Sequence, residues 1–162
     1  MNCYVLTGGA SKRMGRSKRE LFLDRVLAEA RPVFDDVLLL DYEEGEQGPI
    51  FGVARALRDA ENECFVLAVD YPLITSDVLR FLRDRRGVPL WDGKPQRLCA
   101  VWSTKLLPAI EERIAARRFD LHGLNEEAMI SEAELRQRFE GEPLMNVNTP
   151  EEWQAAERTH GG

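Results

Sequence analysis

Apolar residues fall along this chain in two alternating rhythms. Short unbroken runs, Cys3 to Thr7 (CYVLT), Val37 to Leu40 (VLLL) and Cys64 to Val69 (CFVLAV), alternate with stretches where apolar positions recur three or four residues apart. Compact runs of this kind read as strands buried on both faces, and the spaced positions as amphipathic helices. Leu23, Val26, Leu27 and Ala30 outline a helix ending by Pro32. Val53, Ala54 and Leu57 outline a second after Gly48-Pro49, and Val78, Leu79 and Leu82 a third capped by Thr75 or Ser76. Three strand-helix units in succession predict an α/β fold: a single Rossmann-like, three-layer domain whose mostly parallel sheet carries helices on both faces.

The second half is less regular. Val88 to Leu90 and Arg97 to Trp102 read as strands, and Lys105 to Arg118 as a helix through Leu106, Leu107, Ile110 and Ile114. Ser131 with Glu134 forms a capping box, with Ile130 and Leu135 at staple spacing. Thr149, Pro150 and Glu152 form another, so a last helix starts at Pro150 after a short strand, Leu144 to Asn148. No linker or repeat interrupts the 162 residues, which are expected to form one domain, with 1–86 as a nucleotide-binding half and 87–162 as an acceptor-binding half.

Composition narrows the function classes. The longest apolar run has six residues, against about 20 for a membrane span, and 44% hydrophobic content excludes wholesale disorder. Three isolated cysteines and two histidines rule out zinc ribbons and disulfide scaffolds, so any metal is expected on oxygen ligands. Lys12 and Arg13 follow the first apolar strand, the reverse of a secretory leader, which points to the cytoplasm. A net charge of −6 speaks against nucleic-acid binding. That charge is unevenly spread: residues 1–19 hold five basic residues and no acid, leaving −11 for the rest.

The basic segment is TGGASKRMGRSK, Thr7 to Lys18. Glycines let backbone N–H groups approach phosphate oxygens, and the basic side chains add charge-assisted contacts, although a Gly-Gly turn with basic neighbours is also a common solvated loop. The spacing matches neither the phosphate loop of nucleotide hydrolases nor the dinucleotide fingerprint. Asp41 and Asp70 end the second and third apolar strands, at the sheet edge where parallel α/β folds bind ligands. Asp70 facing a polyphosphate would suit Mg²⁺, or it would be a helix-capping residue. Asp41 lies in an acidic run. Asn146 and Asn148 alternate about Val147, so they would share one face of a strand as oxygen-recognising amides, or as turn formers.

Together, LTGGASKRMGRSK, GPIFG at Gly48 to Gly52, VDYP at Val69 to Pro72 and NVNTPEE at Asn146 to Glu152 resemble the molybdenum cofactor guanylyltransferase family, in order and spacing from end to end. The resemblance implies a nucleotide-diphospho-sugar-transferase-like fold that moves GMP from GTP onto molybdopterin with Mg²⁺, releasing pyrophosphate. By position, Leu6, Thr7, Gly8 and Gly9 would line the nucleotide, with Arg13 and Lys18 on its phosphates. Gly48 and Gly52 would let the chain approach it, and Asp70 would hold Mg²⁺. Asn146 and Asn148 would lie toward the acceptor. Lys18, Asp70 and Arg13 would be the catalytic groups, and other molybdenum cofactor proteins transient partners.

The chain departs from the family pattern between Lys18 and Gly48. Only Arg19 to Leu23 precede the helix, and a single strand leads to the Gly-Pro motif where relatives have two. Asp41 is thereby expected to serve as the guanine-proximal polar contact. A nucleotidyltransferase with another base (CTP) or acceptor (a sugar phosphate), and a nucleotide-binding partner protein without turnover, are the alternatives.

Overall fold

The computed structural model describes residues 1–8, 16–41, 43 and 45–160, and the side chains of these except 16–19, 159 and 160. Its main sheet has four strands in the order β2-β1-β3-β6: β1 (Cys3–Leu6), β2 (Val37–Leu40), β3 (Glu63–Ala68) and β6 (Cys99–Ser103). β1 runs parallel to both β2 and β3, and β6 is antiparallel to β3. A smaller sheet joins β4 (Val88–Trp91) to β5 (Lys94–Pro95) antiparallel and to β7 (Met129–Ile130) parallel. The fold is thus α/β with mixed sheets.

Side-chain alternation along the central strands builds a core on each face. Cys3 and Val5 of β1, with Phe65 and Leu67 of β3, pack with α1 (Arg16–Ala30) and α3 (Ser76–Arg85) through Val26, Leu27, Ala30, Val78, Leu79 and Leu82. Tyr4, Leu6, Cys64 and Val66 point the other way. They meet α2 (Ile50–Asp59) and α4 (Leu107–Ala115) through Ile50, Val53, Ala54, Leu57 and Ile110. Period-two alternation on strands buried on both sides is what a sheet between two helical layers requires. Among the described residues β2 pairs only with β1, and its Leu38 and Leu39 remain 38% and 51% exposed.

Cap chemistry sets several boundaries. Thr75 caps α3, its Oγ1 accepting the Val78 N–H at 3.3 Å, and Ser131 caps α5 (Glu132–Arg138) by accepting from Glu134 N at 3.2 Å. The return half of that second box is absent, because the Glu134 carboxylate is taken by Arg85 at 2.7 and 2.8 Å. Ile130 and Leu135 are both buried in one cluster, as a staple demands.

Three expectations need correction. α1 starts at Arg16 rather than near Leu23, so Lys18 lies in its first turn. Apolar periodicity detects only the part of a helix that faces a core. The expected helix over Lys105 to Arg118 is a 3-10 turn, Thr104–Leu106, followed by α4, with Pro108 in the first turn. Leu144 to Asn148 forms no strand. Met145 N bonds Glu142 O at 3.1 Å in a turn, and Asn148 N is drawn to Glu152 Oε2 at 2.6 Å ahead of α6 (Pro150–His160), while Val147 N between them goes to the main-chain oxygen of Asp70, so the donors diverge instead of forming a ladder.

Candidate active site

Parallel β2, β1 and β3 end together, and main-chain bonds stitch their ends: Thr7 N to Leu40 O at 3.0 Å and Val69 N to Leu6 O at 3.1 Å. Thr7 is buried, with its Oγ1 3.4 Å from the same Leu40 carbonyl. Asp41 and Asp70 follow immediately on the flanking strands. With strands about 4.8 Å apart, their backbones stand roughly 10 Å from one another across the β1 end. Leu6, Thr7, Gly8, Asp41 and Asp70 are thereby brought to one edge of the sheet. Gly9 and Arg13 lie outside the described residues. Lys18 is in the first turn of α1, and its side chain is likewise outside them.

The two Gly-Pro-motif glycines are used differently. Gly52, in the first turn of α2, would place a Cβ 2.8 Å from Leu6 Cδ2, so the room left by its missing side chain is taken by Leu6. Glycine here sets how closely α2 approaches β1. Gly48 has φ +125°, a conformation that strains any L residue, and a Cβ there would lie 3.4 Å from Phe119 O. The acidic run beside Asp41 is organised by Arg55 of α2, which donates to the Asp41 carbonyl, to Glu46 at 2.9 Å and to Glu43 at 3.3 Å.

Asp70 is half-buried just beyond β3, and its pKa is pushed up to about 6, mainly by desolvation and then by the Glu152 carboxylate. A carboxylate that burial and a like charge both oppose is ionised most readily with a cation beside it. Its main-chain oxygen accepts from Val147 N at 2.8 Å, which ties the loop before α6 to the end of β3. Val147 itself is buried with Phe22, Val69, Trp153 and Ala156, so the anchor is both polar and apolar. Asn148 Nδ2 donates to Asn146 Oδ1, and the two amides do meet, although on a loop rather than a strand.

Both asparagines and Glu152 line a cavity of about 470 Å³, closed on the other side by residues 91–96 of the β4–β5 hairpin. Beneath it the buried Tyr71 donates its hydroxyl proton to Gln96 Oε1 at 2.8 Å, and Gln96 Nε2 donates to the carbonyls of Trp91 and Lys94, each at 3.2 Å. Trp91 forms part of the wall, its indole N–H 3.2 Å from Glu142 Oε2 and its ring 4.0 Å from the Arg136 guanidinium.

Glu152, Tyr71, Gln96 and Arg55 escaped the sequence reading as site residues. Glu152 was legible as a cap residue, a role its carboxylate fills by accepting the Asn148 N–H. Its proximity to Asp70 is purely tertiary, as is the pairing of Tyr71 with Gln96. Among the described residues no three His, Cys, Asp or Glu side chains cluster as a metal site. Asp70 and Glu152 are two carboxylates close enough to act on one another at this edge, and carboxylate oxygens are ligands that Mg²⁺ accepts beside phosphate and water. No described helix is long and apolar enough to cross a membrane.

Comparison with known proteins gives this geometry a family. Residues 3–127 match the model of the MobA-like NTP transferase domain. A probable molybdenum cofactor guanylyltransferase of Aquifex aeolicus is 31% identical over 176 positions, covering 93% of this chain and 87% of that protein. The fold is shared with molybdopterin-guanine dinucleotide biosynthesis protein A of Archaeoglobus fulgidus, at TM-score 0.79 and 23% identity over 99% of both chains. It is also shared with a Mycobacterium tuberculosis protein solved in complex with manganese, at TM-score 0.59 and 15% identity over 96% of both chains. With most of its length matched by the family model and a relative above 30% identity, the chain is a nucleotidyltransferase belonging to the MobA-like NTP transferase family.

Proposed function

We propose that this enzyme transfers GMP from GTP to molybdopterin, releasing pyrophosphate, in the cytoplasm. The observation that carries the reading is the position of Asp70. It stands between the glycine-bearing end of β1 and the cavity lined by Asn146 and Asn148, and is joined to the latter by the Val147 N–H bond. A group there can face a nucleotide and an acceptor at once. The guanylyltransferase name of the Aquifex relative supports guanine and molybdopterin as the substrates, and three buried free thiols suit a reducing compartment.

In this reading residues 1–86 bind the nucleotide and 87–162 the acceptor, within one domain. Leu6, Thr7, Gly8 and Gly9 line the nucleotide, Gly48 and Gly52 shape its approach, and Asp41 contacts the base side. Arg13 and Lys18 bind the phosphates, Lys18 from the first turn of α1, where helical N–H groups add to the attraction for anions. Asn146 and Asn148 receive the acceptor. Asp70, beside Glu152, would hold Mg²⁺, which when bound supplies charge neutralisation at the phosphates. A terminal phosphate oxygen of the acceptor attacks the α-phosphorus in line, forming one P–O bond as the bond to the β-phosphate oxygen breaks. Pyrophosphate leaves with that electron pair. The residues contribute position and charge, and no covalent enzyme intermediate is needed.

A pyrophosphate-release assay tests the reading, with GTP, CTP, ATP or UTP against molybdopterin or a sugar phosphate. GTP with molybdopterin is expected to turn over fastest, with kcat falling by about 100-fold or more in Asp70→Ala and Lys18→Ala as transition-state charge stabilisation is lost. Faster turnover with CTP, or with a sugar phosphate, would replace the base or the acceptor in this proposal. Nucleotide binding without any turnover would make the chain a partner protein.

A further inference from the structure

Two distant parts of the chain form the walls of the acceptor cavity, the loop carrying Asn146 and Asn148 and the hairpin of residues 91–96. The hairpin has little to hold it by itself. Asp92 and Gly93 take φ of 51° and 73°, the two left-handed positions of a two-residue hairpin turn, and the ladder that follows pairs Trp91 with Lys94 and Leu90 with Pro95. Gln96 N extends it to Pro89 O at 2.8 Å, but Pro89 has no N–H to return. In the smaller sheet β5 lies at the edge, and β7 meets β4 at Val88 and Pro89, away from the turn. A two-stranded ribbon of this length is marginal on its own in water.

The Gln96 side chain supplies what the ladder lacks. Main-chain carbonyls can only accept, so its 3.2 Å contacts with the Trp91 and Lys94 carbonyls, one on each strand, commit Nε2 as donor and leave Oε1 as acceptor. Tyr71 donates its hydroxyl proton to that Oε1 at 2.8 Å. Its ring is 2% exposed, in the core that also buries α1 and α3, so the hydroxyl is a fixed point. Tyr71 directly follows Asp70, whose main-chain oxygen takes the Val147 N–H of the opposite wall. Two consecutive residues thus hold the two walls, one through its carbonyl and the other through its phenol.

From this arrangement we propose that Gln96 is a positioning residue for the acceptor: by bridging Tyr71 to both strands of the hairpin, it holds the 91–96 wall pre-formed beside Asp70. Without the bridge the cost of ordering that wall falls on acceptor binding. The nucleotide, placed at the other side of Asp70, is untouched by it. The role given to the wall rests on reading this cavity as the acceptor site, whereas the bridge rests on the hydrogen bonds alone.

The test uses Gln96→Leu, which keeps a side chain of similar length and removes both arms of the amide. Amide hydrogen exchange of residues 91–96 in the ligand-free enzyme is expected to rise about tenfold, the scale of one lost neutral hydrogen bond, with residues 63–68 unchanged. In the pyrophosphate-release assay the acceptor KM is expected to rise about tenfold while the GTP KM and kcat change less than about twofold. Tyr71→Phe, which keeps the ring in the core, should reproduce both effects in part, and adding it to Gln96→Leu should raise the acceptor KM no further. Unchanged exchange in the hairpin would overturn the proposal, as would faster exchange with an unchanged acceptor KM. Faster exchange of residues 63–68 as well would make Gln96 a residue of general stability and overturn it too. If the wild type turns over no acceptor, the guanylyltransferase reading falls, and exchange in the hairpin still decides the bridge.

Discussion

Asp70 and Val147 are 77 positions apart in sequence, yet the main-chain N–H of one reaches the main-chain oxygen of the other at 2.8 Å. This bond holds the carboxylate at the end of β3 against the asparagine loop, and it leaves the Asp70 side chain desolvated beside Glu152. Charge at that carboxylate is therefore unfavourable in the ligand-free protein.

A pH dependence follows, and its sign is set by the raised pKa. Between the unfolded value of 3.8 and the folded value of about 6 the native state binds more protons at Asp70, so this group's contribution to stability declines as pH rises through that window. At pH 7 the ionised group costs on the order of 2 kcal/mol, allowing for partial exposure, since a tenfold change in proton affinity is worth about 1.4 kcal/mol. Asp70→Asn should accordingly be more stable than the wild type at pH 7 by roughly that amount and equal to it near pH 4. Urea unfolding of both proteins at the two pH values checks this. Added Mg²⁺ should stabilise only the wild type, and more strongly at pH 7 than at pH 5.

Gly52 and Leu6 make a second test. A Cβ at position 52 would sit 2.8 Å from Leu6 Cδ2, so Gly52→Ala must displace that side chain. The cost expected is about 1–3 kcal/mol, as for other overpacked sites. Shortening the obstacle should restore much of the loss: Gly52→Ala/Leu6→Val is expected to lie closer to the wild type than the sum of the single changes. Thermal unfolding of the four proteins measures this coupling. If Gly52→Ala alone were neutral, the contact with Leu6 would not be what requires glycine.

Trp153 fastens α6 to α1. Its ring meets Phe22 edge-on at 4.8 Å between centroids and lies under the Arg25 guanidinium at 5.2 Å, within the small cluster that also buries Val147. Trp153→Ala is expected to cost about 3 kcal/mol, the lower end for buried aromatic truncations, because the cluster is small. Since Val147 loses packing too, the acceptor KM should rise along with the loss of stability. Trp153→Phe should recover most of both, read by denaturant midpoint and by the pyrophosphate-release assay.

Much of the fold was legible because short-range physics and burial agree there. Val37–Leu40 is a strand with the bounds its apolar run indicates, and Thr75 caps α3 as a hydroxyl before an amphipathic run should. Where a backbone has a local alternative, pattern misleads: the alternating LMNVN segment has the look of a strand, but a turn at Glu142 and the α6 cap take the Met145 and Asn148 donors, leaving Val147 N for Asp70. In the site, strand-end carboxylates Asp41 and Asp70 were readable because parallel topology dictates where they sit. Glu152 was readable only as a cap. Gln96 carries no signal at all, since its partner Tyr71 is 25 positions away and its role arises from carbonyls of the β4–β5 hairpin.

The outermost strand carries a different kind of consequence. Asp36, Leu38 and Leu40 of the β2 segment bond inward to β1, as the Cys3 N to Asp36 O and Thr7 N to Leu40 O contacts show, so Val37 and Leu39 direct their peptide groups outward beside an exposed apolar side chain. Such an edge is a template for another strand, and what guards it here is charge: Asp35-Asp36 at one end and Asp41 at the other. Two copies approaching antiparallel would set these acids against each other. The guard is electrostatic, so it weakens in salt. Light scattering should show self-association that grows as salt is added. Leu39→Lys, which places a fixed cation on the edge, should suppress it without altering the fold. The colloidal behaviour of this enzyme is thereby tied to a handful of surface carboxylates at the end of its sheet.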